Sequence, residues 1–151
     1  MIMDELLEFA DATALSTAGT GLAAVGDVID LGATPQDFGN GQPLYLVIQV
    51  DTAVTSGGSA TVAFQLVSDA GSTLAADGSE TLHYESAAIA KATLVAGYEL
   101  VIPVPLGVGT EYERYLGIQQ NVGTAALTAG KINAFLTFDP KGWKSYPDAA
   151  N

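Results

Sequence analysis

Pro43-Leu44-Tyr45-Leu46-Val47-Ile48-Gln49-Val50 decides the fold. It is apolar on both faces and rich in β-branched and aromatic residues, and it lies between Gly39-Asn40-Gly41 on one side and Asp51 with Ser56-Gly57-Gly58 on the other. A strand buried on both faces reads this way. A short buried helix has a similar apolar content. The brevity of the run, its flanking glycines and the Val-Ile-Val content favour the strand. A central strand needs partners on both sides and cover above and below, so the neighbouring segments should be strands too.

The segments on either side fit this. Toward the amino terminus, Val28-Ile29-Asp30-Leu31 reads as a short strand closed by Gly32, and 33–41, with Pro35, Gly39 and Asn40-Gly41, as a turn-rich link. Ser16 to Gly26 is small, glycine-rich and uncharged and reads as a loop or flexible connector. Leu7, Phe9, Asp11, Thr13 and Leu15 recur at period two, which favours an extended arm or first strand over a helical face.

Toward the carboxyl terminus, Val62, Phe64 and Leu66 alternate with Thr61, Ala63 and Gln65, so 61–67 should be a strand, forming a hairpin with 43–50. Asp69 to Ser79 reads as a surface loop, Thr81 to Glu85 as a short strand, and the alanine-rich Ser86 to Thr93 as a helical turn or a loop. Tyr98 to Ile102 is a strand whose far end, with Pro103 and Pro105, belongs on a sheet edge. Tyr112 to Gln119 and Lys131 to Phe138 complete the set.

About eight short strands with turns between them and no convincing long helix imply an all-β fold, an antiparallel β-sandwich or barrel. A jelly roll of about eight strands and an immunoglobulin-like sandwich of seven both suit the spacing. Residues 1–24 should be an extended amino-terminal arm and connector, 25–139 the sandwich, and 140–151 a tail.

Composition bounds the function. The 151 residues suit one domain, able to bury about 70% of the surface of its unfolded chain. With no cysteine, disulfides and thiolate chemistry are excluded. Met1-Ile2-Met3-Asp4-Glu5 does not resemble a secretory signal, and no run reaches the roughly 18 apolar residues of a membrane span, so a soluble chain is expected. Seventeen acidic residues against five basic ones give a formal charge of -12, which repels phosphate backbones and anionic lipid. Neither nucleic acid nor membrane is an expected partner. A basic protein surface, cations or solubility alone remain.

Little in the chain points to catalysis. His83 is the single histidine, so a metal site of several imidazoles is excluded and any triad would rest on this residue alone. Asp77-Gly78-Ser79-Glu80 is oxygen-rich but lacks the spacing of a calcium loop. Glu111 and Glu113 flank Tyr112 on one face of the expected strand, with Arg114 near enough to pair across strands. No catalytic, cofactor-binding or metal-ligating residue is assigned, and no cofactor is expected. The tail is different: Trp143, Lys144 and Tyr146 put large rings beside a cation in a stretch that cannot continue a strand. Such side chains anchor interfaces, or the tryptophan could fold back on the sandwich.

Glu8 to Leu15, then Val28-Ile29-Asp30-Leu31-Gly32, then Gly41-Gln42-Pro43-Leu44-Tyr45 running on to Val50, followed by a second alternating strand, resemble the capsid cement proteins of tailed bacteriophages. The resemblance implies a jelly-roll decoration protein on the outer surface of an icosahedral head, synthesised in the host cytoplasm, with no catalytic residues to carry over. Its partners would be the major capsid protein and itself, an isologous dimer being the first expectation and a trimer the second. Leu6, Leu7 and Phe9 of the arm, with Trp143, Lys144 and Tyr146, would make the capsid or self contacts. The alternative is a carbohydrate- or receptor-binding sandwich using Tyr45, Tyr84, Tyr112, Tyr115 and Trp143 as a stacking platform.

Overall fold

The computed structural model describes residues 5–33 and 42–140. After a single 3-10 turn, Glu5–Leu7, come nine strands among the described residues: β1 (Glu8–Ala14), β2 (Gly21–Asp30), β3 (Tyr45–Thr55), β4 (Thr61–Asp69), β5 (Thr81–Glu85), β6 (Ile89–Ala90), β7 (Glu99–Pro103), β8 (Tyr115–Gly123) and β9 (Ala129–Thr137). They form two antiparallel sheets, one ordered β1-β9-β3-β7 and the other β2-β8-β4-β5, with β6 extending the β5 edge along β4. With the two-residue β6 set aside, eight strands divide between the sheets in jelly-roll order, and the immunoglobulin-like alternative falls away. No helix among the described residues is long and apolar enough to cross a membrane.

β3 is internal, paired with β9 and β7, as its sequence requires. Leu46, Ile48 and Val50 join the core between the sheets, while Val47 on the other face is also fully buried. Facing them across the sandwich are Val62, Phe64 and Leu66 of β4 and Leu116 and Ile118 of β8. The expected hairpin of 43–50 with 61–67 does not form. β3 and β4 lie in opposite sheets, because 56–60 is long enough to step across the roughly 10 Å between sheet layers.

The amino-terminal boundary also changes. Residues 8–14 are the outer strand β1 of the first sheet, and a division at 24/25 would cut β2. Phe9, Ala10 and Leu15 are core residues, 1%, 3% and 3% exposed. The small residues taken for a flexible connector serve close packing. At Gly26, φ is +71° and an added Cβ would fall on the carbonyl of Phe9, so glycine lets β2 lie against β1. The true connection is 15–20, held where it leaves β1: Leu15 N donates to Gly130 O at 2.9 Å, Ser16 N to Gln120 Oε1 at 2.8 Å, and Gln120 Nε2 to Ser16 O at 3.0 Å.

Two loops differ as well. Residues 70–80 are not a detached surface loop: Leu74 lies over Gly117 on the outer face of the second sheet, and buried Gln119 donates to Ala75 O. Segment 86–93 contains β6 and then a turn closed by Thr93 N to Ala90 O, 2.9 Å. β7 is an edge strand ending in Pro103, as the prolines indicate.

Candidate functional site

At one end of the sandwich β1, β3, β5 and β8 begin and β2, β4, β7 and β9 finish, a consequence of the antiparallel registers Glu8 to Phe135, Tyr45 to Thr137 and Pro103, Asp30 to Tyr115, and Ser68 to Thr81. The 3-10 turn at 5–7, the segment 138–140 and the connection 104–114 all stand at this end. It carries most of the exposed large apolar side chains among the described residues: Leu6 (78% exposed), Leu106 (58%), Val108 (88%) and Phe138 (57%). Large hydrophobes gathered at one end and left in solvent mark an interaction surface.

The 104–114 connection presents Leu106 and Val108 from a braced frame. Val104 N donates to Leu44 O at 2.8 Å, extending the β3–β7 pairing. Tyr112 is buried in the core, its hydroxyl donating to Pro105 O at 2.6 Å and its ring packing against Gly107. Burial pushes the phenol up to about 12, so it stays a neutral donor. The loop is therefore held at its base while its tip is bare.

Beneath it lies a polar cluster. β5 carries one residue more than β4 between the pairs Leu66–Tyr84 and Val67–Leu82, and the extra residue is His83. A bulge re-aims a side chain. Here it brings His83 Nε2 to 2.7 Å from Ser68 Oγ and stacks the imidazole on Tyr112, with ring centroids 3.8 Å apart. Ser68 Oγ also accepts from Glu113 N at 3.0 Å, and Glu113 Oε1 accepts from Thr81 Oγ1 at 2.7 Å. Burial lowers the His83 pKa, partly opposed by the charge of Glu113. Ser68 is fully buried, so its hydroxyl cannot meet a substrate despite the histidine beside it.

The charged residues have other partners than the sequence implies. Tyr112, Glu113 and Arg114 precede β8 and do not form a strand face. Arg114 instead clamps Asp30 with two bonds, Nε to Oδ1 at 2.9 Å and an Nη to Oδ2 at 2.8 Å, and lies 5.0 Å from the Tyr115 ring centroid. That pairing, with Gly32 N donating to the same carboxylate, holds Asp30 at about 2. Asp77 and Glu80 accept from Ser79 N and Gly78 N and close their own turn, and no group of three metal-ligating side chains occurs among the described residues. Beside β1 an open groove of about 440 Å³ is lined by Glu5, Glu8, Phe9, Ala10, Asp11 and Asp27. Burial first, then Asp11 and Glu5, raise the pKa of Glu8.

Of the side chains expected to make contacts, Leu6 is open to solvent, Leu7 packs partly on the core, and Phe9 is corrected to a core residue because its ring is 1% exposed. Trp143, Lys144 and Tyr146 lie outside the described residues. The sequence reading missed Leu106, Val108 and Phe138; the signal was Leu-Gly-Val-Gly, apolar yet too glycine-rich to be a strand. Tyr112 belongs to the core and is not open to stack a sugar ring, while Tyr84 packs against the core and is partly buried.

The family model described as Bbp16 matches residues 9–136. The chain belongs to the Bbp16 family. No curated protein matches it. The Bbp16 match begins at Phe9, in the first strand, and ends at Leu136, in the last, so it spans the two sheets and includes Leu106 and Val108. Leu6, Phe138 and the 143–146 segment flank it.

Proposed function

We propose that this Bbp16-family chain is a capsid decoration protein: a non-catalytic jelly roll that binds the outer surface of an icosahedral phage head between coat subunits and stabilises the shell. The observation that carries this reading is the exposed apolar end formed by Leu6, Leu106, Val108 and Phe138 on an otherwise strongly acidic molecule. A protein present in many copies on one shell needs a face that binds and a remainder that does not aggregate, and like charges supply the second. The partner is the major capsid protein, with a dimer of this chain bridging neighbouring capsomers.

The mechanism is mass action. Binding the assembled shell better than free coat subunits stabilises the shell by RT ln(1 + [L]/Kd) per site, repeated over every equivalent site. Co-sedimentation with undecorated shells tests it. The wild-type chain should saturate them at a fixed ratio. The double variant Leu106→Ser with Val108→Ser should bind at least tenfold more weakly while unfolding within about 0.5 kcal/mol of wild type, since both side chains stand in solvent. Failure of the wild type to bind, or full binding by the double variant, contradicts the assignment of this end.

A further inference from the structure

His83 joins three parts of the fold: it sits on β5, bonds Ser68 at the end of β4, and stacks on Tyr112, whose hydroxyl braces the loop bearing Leu106 and Val108. The direction of its bond to Ser68 Oγ goes with its tautomer. Ser68 Oγ accepts from Glu113 N, and its single proton is best placed on His83 Nε2, which makes the histidine a neutral Nδ1–H tautomer. A proton from solvent added at Nε2 reverses that bond. The imidazolium then donates to Ser68 Oγ, and the serine proton loses its acceptor at a position with no exposure to water.

We propose that His83 is a proton-operated latch: neutral, it holds the 104–113 segment, and with it the apolar end, in the ordered form; protonated, it loosens them. Its relevance to docking rests on the reading of that end as the shell-binding surface.

The surrounding charges have been assigned above or bind elsewhere. On β4, Asp69 accepts from Gly71 N and Ala75 N. On β5, Glu85 is occupied by Gln65 and Asn121. On the connection, Arg114 is held by Asp30, Glu111 is solvent-exposed, and Glu113 favours the charged histidine. Glu113 and the face of the Tyr112 ring thus favour protonation, while burial and the Ser68 bond oppose it. The balance lies with the neutral form, since burial lowers the pKa. The sign follows: with the folded pKa below the unfolded one, this contribution is present above the ordinary histidine range and is lost as pH falls through it.

Hydrogen exchange of the free full-length chain at pH 7.5 and 5.0, corrected for intrinsic rates, reads the latch directly. In the wild type, protection of amides in 104–113 should fall at least tenfold at pH 5.0 relative to the β3 and β9 amides. In His83→Gln, which keeps a neutral amide near the Nε2 position, the two pH values should agree. Unchanged protection in the wild type overturns the proposal, as does an equal loss in His83→Gln. An equal loss in Glu8→Gln is expected, and its absence would assign the effect to Glu8 and overturn the latch. Shell binding at pH 7.5 is measured separately: if it fails while the exchange result holds, the docking reading falls and the latch stands.

Discussion

At Gly26 the left-handed backbone and the Phe9 carbonyl leave no room for a methyl group. Gly26→Ala should therefore cost about 3 kcal/mol or more, the sum of backbone strain and displacement of β1 from β2, read as a lower urea midpoint with an unchanged slope. Phe9→Ala should cost about 3–5 kcal/mol, because the ring is core and its removal leaves a cavity. A weak effect on stability with a large loss of shell binding would return Phe9 to the contact surface. Tyr112→Phe deletes the bond to Pro105 O and should cost about 1 kcal/mol near neutral pH. Because burial raises the phenol to about 12, its contribution is whole below pH 10 and is lost as pH rises toward 12; the phenylalanine variant should lack that alkaline loss in a thermal unfolding series.

Among the elements, β3, β4, β7 and β9 were legible because their own side chains pack, and periodicity records packing. β2 and β8 were drawn too short for a common reason. The Leu-Ala-Ala-Val-Gly part of β2 ends in a glycine because β1 presses on it there, and Gln119-Gln120-Asn121 of β8 are polar because they bind loops and a neighbouring strand: Gln120 holds Ser16, Gln119 holds Ala75, and Asn121 reaches Glu85. Partners distant in sequence set these residues, so local pattern misreads them as connector and strand end. The Asp30–Arg114 clamp joins the end of β2 to the start of β8 in the same way. Asp30 is held near 2, so its contribution is present above the usual carboxylate range and is lost as pH falls through 2. Asp30→Asn should flatten the acid limb of the melting profile between pH 4 and 2 and lower the neutral-pH stability by the same amount, a small one because the pair is exposed.

For the whole molecule, charge and fold class could be read from the chain, but the apolar end could not. Leu6, Leu106, Val108 and Phe138 are scattered over the sequence, and only the jelly-roll registers bring their segments to one end. Of these, only Leu6 reads as a contact from the sequence, and Phe9 beside it reads the same way although its apolar side chain serves the core. The central claim is that this Bbp16-family chain is a stoichiometric part of a phage shell. Quantitative mass spectrometry of purified particles from the source, comparing this chain with the main coat subunit, tests it most directly. A fixed ratio near a simple fraction of the coat copy number is the predicted result. Absence from the particles, or a handful of copies per particle, would contradict it.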